Sequence, residues 1–127
     1  MKQIARSLML LLALIFPLLA HALGEPYTQE KMDALNKAEK PVLVTIHANW
    51  CGTCRAQERV LEKLLSKAEF REITILRVDF DQQKPVVHKL GAKYQSTLIV
   101  FKGGEMAGRM TGETDSDRIA RLLYSAL

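Results

Sequence analysis

Beyond residue 22 the apolar positions fall into runs of two periods, and together they predict eight elements. Thr28 is fit to cap a helix, and Met32, Leu35 and Ala38 follow at helical spacing until Lys40 and Pro41 end it. Residues 42–47 (VLVTIH) are β-branched and almost wholly apolar, as a strand covered on both faces must be. An amphipathic helix follows: Val60, Leu61, Leu64, Leu65 and Ala68 share one face, while Arg55, Glu58, Arg59, Glu62 and Lys63 lie largely off it. Residues 73–78 (ITILRV) read as a second buried strand, and Pro85 opens a short helix carrying Val86, Val87 and Leu90, with Gly91 as its stop. Residues 97–101 form a third strand, Lys102, Gly103, Gly104 and Glu105 a hairpin turn, and residues 106–110 a fourth strand. Asp115 or Ser116 then caps a last helix whose Ile119, Leu122 and Leu123 face inward. Two βα crossovers followed by a hairpin give an α/β domain: one mixed sheet of about four strands with helices on both faces.

The first 22 residues are of another kind. Sixteen of them are apolar and none is acidic. Lys2 and Arg6 precede an apolar run at residues 8–19, and Ala20, His21 and Ala22 supply the small-x-small pattern of a cleavage site. This order is that of a secretory signal peptide cut after Ala22. The alternative, an uncleaved anchor, needs about 20 apolar residues, more than this run offers, and Pro17 interrupts it. The expected mature domain is therefore residues 23–127, working in the periplasm, where disulfides form and persist. Membrane contact is confined to the leader if it is retained. Of the chain's net charge of +4, Lys2 and Arg6 account for two, leaving +2 on the domain without any basic run. The nucleic-acid reading suggested by a pI near 9.2 thereby loses its ground.

Two cysteines remain to be explained, Cys51 and Cys54, three positions apart on the turn from strand to helix. A bridge closing so small a loop restrains the unfolded chain little, so it is a poor staple. A zinc site needs four ligands and a second pair is missing. Attached c-type haem needs His at position 55, where Arg55 stands. A redox dithiol remains. Cys51 would sit at a helix N-terminus, where free N–H groups and the dipole favour a thiolate. Cys54, one turn on, would be placed to resolve a mixed disulfide.

Around these residues the chain resembles the thioredoxin superfamily of thiol–disulfide oxidoreductases over nearly the whole mature domain. The resemblance rests on Trp50-Cys51-Gly52-Thr53-Cys54, the preceding VLVTIHAN strand, Arg77-Val78-Asp79, Thr97-Leu98-Ile99-Val100-Phe101, the Gly103-Gly104 turn and Gly112. It implies a thioredoxin fold of the minimal type, Cys51 as attacking and Cys54 as resolving cysteine, a redox disulfide between them, and Trp50 as an exposed aromatic beside the site. Gly52, Thr53, Thr45, Arg77, Ser96 and Thr97 become candidates for docking or tuning. It implies no cofactor and no metal.

Three departures qualify the resemblance. Ser96 stands where the family has a cis-proline before Thr97. A cis bond before a non-proline residue costs about 2.5–4 kcal/mol against about 0.5–1 before proline, so a trans Gln95–Ser96 bond or a strained cis one is expected. The Ser96 hydroxyl then becomes free to reach a sulfur. Thr45 replaces a buried carboxylate below the dithiol that, in the family, ferries a proton for the resolving cysteine. Its loss would leave Arg77 without a partner, and both changes are expected to favour the thiolates and so a more oxidising protein. Arg59 replaces a helix-kinking proline, a structural change only.

The bland readings are set beside these. His47 suits a proton shuttle or a metal ligand, but a half-buried strand-end histidine with a satisfied hydrogen bond accounts for it more simply. His88 reads as a surface residue at a helix C-terminus, and Met106 and Met110 as residues that pack or sit on a strand face rather than handle copper. The expectation is a monomeric periplasmic thiol–disulfide oxidoreductase acting on protein disulfides and reset by a membrane or envelope redox partner. The minimal fold favours the reductase direction and Thr45 argues against it. The alternative is a non-catalytic binding module or a copper-handling protein using Cys51, Cys54 and His47.

Overall fold

The apolar run at residues 42–47 becomes the centre of the sheet. The computed structural model describes residues 23–127, and the export signal read from residues 1–22 lies outside the described residues. In chain order the elements are β1 (Glu25–Pro26), α1 (Gln29–Lys37), β2 (Val42–His47), α2 (Gly52–Leu65), a 3-10 turn (Ala68–Phe70), β3 (Thr74–Asp79), α3 (Lys84–Lys89), β4 (Thr97–Lys102), β5 (Glu105–Thr111) and α4 (Ser116–Tyr124). The strands lie in the order β1-β3-β2-β4-β5. β2 runs parallel to β3 and antiparallel to β4, so both of its edges are paired and both faces can be covered. Among the described residues no helix is long and apolar enough to cross a membrane.

Alternation along the strands sorts the core into two layers. Leu43 on β2 packs with Leu98 and Val100 of β4 against Leu61 and Leu64 of α2 and Ile119 and Leu123 of α4. Val42, Val44 and Ile46 point the other way, onto Met32 of α1 and Val87 of α3. Leu61 is wholly buried, and truncating such a residue to Ala costs about 2–5 kcal/mol. The caps are where local chemistry puts them: Thr28 accepts from the Lys31 N–H, and Asp115 from that of Arg118. Gly103 and Gly104, at φ +58° and +84°, supply the two positive φ values that a tight two-residue hairpin demands.

Four details differ from the sequence reading. A fifth strand, β1, pairs Glu25 with Leu76 and Pro26 with Arg77 at the sheet edge. Two residues ending in a proline carry no strand signal of their own, and an edge is where a proline is tolerated. α2 ends at Leu65, so Ala68 leaves the helix face for an exposed place in the 3-10 turn, and Phe70 enters the core instead. Gln57, unremarked among the apolar positions, is buried on the sheet side of α2. Glu58, expected on the solvated face, turns half-buried toward β2.

Candidate active site

β2 ends under the N-terminus of α2, which makes Cys51 the residue that caps the helix. Its Sγ accepts the Cys54 backbone N–H at 3.0 Å, one of the donors that every helix start leaves unpaired. The first turn carries no acidic residue, so nothing there offsets the positive end of the helix dipole. Cys51 and Cys54 are bonded to one another, with Cα atoms 5.3 Å apart. Each is only 3% exposed, so exposure does not tell them apart; hydrogen bonding does. Cys54 Sγ has as its polar neighbour the Ile46 carbonyl oxygen at 3.9 Å, which offers no stabilisation to a thiolate.

The rim is more open. Gly52 and Thr53 are exposed in the first turn of α2. Trp50 is 60% exposed, yet its ring is held: Nε1 donates to Asp81 Oδ2 at 2.7 Å, and the ring meets Phe80 edge-on at 6.5 Å between centroids. Lys84 Nζ lies 3.4 Å from the centre of the Phe80 ring, a cation–π contact that fixes the Phe80 side of this support.

Ser96 does not occupy a cis bond: no cis peptide occurs among the described residues. It adopts φ +55° instead, left-handed and uncommon for a residue with a side chain. Its backbone is fully engaged, the N–H donating to the Ile46 carbonyl at 2.8 Å while its carbonyl accepts from Gln57 Nε2 and the Gly112 N–H, each at 2.9 Å. The hydroxyl donates to the Gln95 carbonyl at 2.7 Å, so it reaches a neighbouring carbonyl and not a sulfur. Thr97 is buried, its hydroxyl shared between the Tyr94 carbonyl and Thr111. Its hydroxyl thereby ties the loop at Tyr94 to β5.

Beneath the dithiol, Thr45 and Arg77 lie side by side across β2 and β3. Arg77 Nη1 is buried without a hydrogen-bond partner among the described residues. Thr45 also lines a small cavity of about 10 Å³ together with Cys54, Gln57, His47 and Glu58. There His47 Nδ1 stands 3.4 Å from Glu58 Oε1, so the strand-end histidine faces a carboxylate. His88 is exposed in the last turn of α3. Met106 is 53% exposed on β5, while Met110 packs against the core. Among the described residues no group of three or more His, Cys, Asp and Glu side chains could hold a metal ion.

The sequence reading missed Gln57, Glu58 and Asp81 as parts of this site. Gln57 donates to the carbonyls of both Ser96 and Glu113, each at 2.9 Å, tying α2 to two loops. A signal was present: Gln57 falls three residues after Cys54 within the apolar stripe of the helix. Nothing in the sequence linked Asp81 to Trp50.

A bonded Cys-x-x-Cys pair capping the helix that follows a central strand defines a thioredoxin-fold thiol–disulfide oxidoreductase. The Thioredoxin family profile matches residues 26–125, and the chain belongs to the thioredoxin family. It is 38% identical over 82 residues to thioredoxin of Chlamydia muridarum, covering 65% of this chain and 78% of that one. Against chloroplastic thioredoxin Y of rice it is 28% identical over 95 residues, 75% of this chain but only 56% of that protein. Among solved structures, Trxlp from Edwardsiella tarda superposes with a TM-score of 0.76 at 33% identity, covering 78% of this chain and 96% of that one.

Proposed function

We propose that the chain is exported to the periplasm as a monomeric domain and there reduces protein disulfides through Cys51 and Cys54. Cys51 Sγ attacks one sulfur of the substrate disulfide, the other leaves as a thiolate, and a mixed disulfide forms. Cys54 Sγ then displaces the second substrate sulfur, leaving a reduced substrate and the Cys51–Cys54 bond. A membrane or envelope partner returns two electrons to reset the pair. The observation that carries the assignment of roles is the 3.0 Å hydrogen bond from the Cys54 N–H to Cys51 Sγ. It stabilises negative charge on the first sulfur and on no other. The charge order of residues 1–22 and the small-x-small site ending at Ala22 support export.

Replacing Cys54 by Ser is expected to trap substrate proteins as adducts on Cys51, visible as species that a reductant dissolves. Trapping through Cys54 in Cys51→Ser would reverse the assignment. Recovery from a periplasmic fraction of a chain beginning at Leu23 is the result expected for export, and a chain retaining residues 1–22 in the cytoplasm overturns it.

A second reading, a disulfide donor, is favoured by the buried Arg77 Nη1 beside Thr45. A cation there, beside a neutral Thr45, stabilises the dithiolate and raises the potential. Each pKa unit corresponds to roughly 30 mV in a two-electron couple. Equilibration with glutathione separates the two: a reductase lies near the thioredoxin value of about −270 mV, a donor nearer −120 mV.

A further inference from the structure

Resolution requires a proton to leave Cys54. In the mixed disulfide, the Cys54 thiol must become a thiolate before it can attack Cys51 Sγ. A free thiol titrates near pH 8.5, so only a few per cent is ionised at neutrality. Burial of the kind seen at Cys54, 3% exposed, works further against ionisation. The Ile46 carbonyl beside its sulfur accepts hydrogen bonds and repels a thiolate. Thr45 has no charge to change. The Cys54 proton therefore needs another acceptor close by.

The cavity beneath Cys54 answers it. Of the side chains lining it, only His47 and Glu58 besides Cys54 itself are titratable. Its volume of about 10 Å³ is close to the minimum that admits one water, which would bridge a thiol and an imidazole lining the same cavity. His47 and Glu58 come from different elements, β2 and α2, and meet at 3.4 Å across that cavity. The other charged groups facing His47 are accounted for. Asp79 lies beside it across β3, but its Oδ1 already accepts the N–H groups of Asp81 and Gln82. Arg77 is two register positions further, beside Thr45, and Arg55 is turned away onto the Asn49 carbonyl.

We infer that His47, oriented by Glu58, accepts the Cys54 proton when the mixed disulfide is resolved and returns it when the pair is reduced. In the forward step the Cys54 S–H proton passes to the His47 imidazole, directly or through one cavity water. The Cys54 sulfur then bonds to Cys51 Sγ, and the substrate thiolate leaves with the electron pair of the broken bond. Imidazole is the side chain whose ordinary titration falls nearest neutral pH, which is what a base for a thiol requires at that pH. Glu58 is a positioning residue: its Oε1 lies 3.4 Å from Nδ1 and holds the ring in place. This inference rests on the proposed roles of Cys51 and Cys54.

The test uses the reduced full domain with one equivalent of dithiobis(nitrobenzoate) in a stopped-flow instrument. Release of the first thionitrobenzoate reports attack by Cys51, and release of the second reports resolution by Cys54. With His47→Gln, resolution at pH 7 is expected to slow about 10- to 100-fold, attack to change less than about twofold, and the two resolution rates to converge above pH 9. The pH dependence of resolution in the wild type is expected to differ in shape from that in His47→Gln. Glu58→Gln leaves the base in place but loosens its hold, and is expected to slow resolution less than His47→Gln does while leaving attack unchanged. An unchanged resolution profile in His47→Gln overturns the inference. So does an equal slowing of both phases, which marks a structural role. If His47→Gln fails to fold, Glu58→Gln decides the matter alone: slower resolution with unchanged attack supports the inference, and unchanged resolution overturns it. Failure of wild-type protein to release the first thionitrobenzoate would instead sink the proposed exchange reaction itself, a separate outcome.

Discussion

Ser96→Pro puts the loop beside the dithiol to a direct test. Ser96 holds φ +55°, and proline fixes φ near −65°, so the ring cannot enter the observed backbone. The change also deletes the N–H that donates to the Ile46 carbonyl at 2.8 Å, leaving an acceptor next to buried Cys54 without its partner. An unsatisfied buried group costs about 1–3 kcal/mol, and a proline at an incompatible φ costs more than the ~0.4–1 kcal/mol it would confer at a compatible one. Rearrangement also threatens the two bonds accepted by the Ser96 carbonyl. The sum is about 3–5 kcal/mol, a large part of the 5–15 kcal/mol that such domains possess. Urea unfolding of the oxidised domain, followed through the single tryptophan, should show a midpoint lowered by about 2 M for an m-value of 1–3 kcal/mol/M. Ser96→Gly is the control. It accepts the positive φ freely and should fall within about 1 kcal/mol of the wild type. A Ser96→Pro domain as stable as the parent would refute the reasoning, because the loop would then have a second, proline-compatible arrangement of equal energy.

Other consequences can be measured on the same protein. Gln57→Leu removes the donor shared by the Ser96 and Glu113 carbonyls and should cost about 1–3 kcal/mol in urea unfolding; an unchanged midpoint would show that those carbonyls find other partners. Asp81→Asn weakens the hold on Trp50 Nε1 and is expected to lower the steady-state anisotropy of Trp50 with little effect on the midpoint, since the pair is exposed. Glu113 accepts the backbone N–H of Asp115 and pairs with Arg118, which holds its carboxyl below the ordinary value. Its folded pKa being the lower one, its contribution is present above the ordinary carboxylate range and disappears as the pH falls through the folded value. Glu113→Gln should therefore be less stable than the parent at pH 7 and converge on it toward pH 3; a constant difference across that range would remove the charge from the explanation.

What could be read from the sequence was what local chemistry decides. Thr28 and Asp115 announce their helices because a short oxygen side chain satisfies an N–H three residues on, whatever the rest of the chain does. The VLVTIH strand and the Gly103-Gly104 turn are legible for the same reason. Tertiary pairing decides the rest. Glu25 and Pro26 become a strand only because β3 presents an open edge to them. Asp81 reaches Trp50 across 31 positions, a separation that no periodicity reports. Glu58 shows how helical arithmetic fails at the margin of a face. Its angle on the helix places it at the boundary, and the strand-end imidazole below draws it inward.

The same margin explains how a dithiol site can function over Thr45. A carboxylate buried at that position would share the cavity with Cys54 and oppose the thiolate by Coulomb repulsion in a medium of low dielectric. Moving ionisable character outward, to His47 at the end of β2 and Glu58 at the edge of α2, keeps a proton acceptor within the cavity. A fixed negative charge is thereby kept from the position directly beneath the sulfurs. Gln57 fills the remaining polar place with a neutral side chain whose donors are both taken. The helix dipole turns its positive end toward Cys51 and Arg77 lies beside Thr45, while the proton is handled by His47 and Glu58, which line the cavity beneath Cys54. Thiolate stability and proton transfer, which a single buried carboxylate would set against each other, are in this chain assigned to different residues.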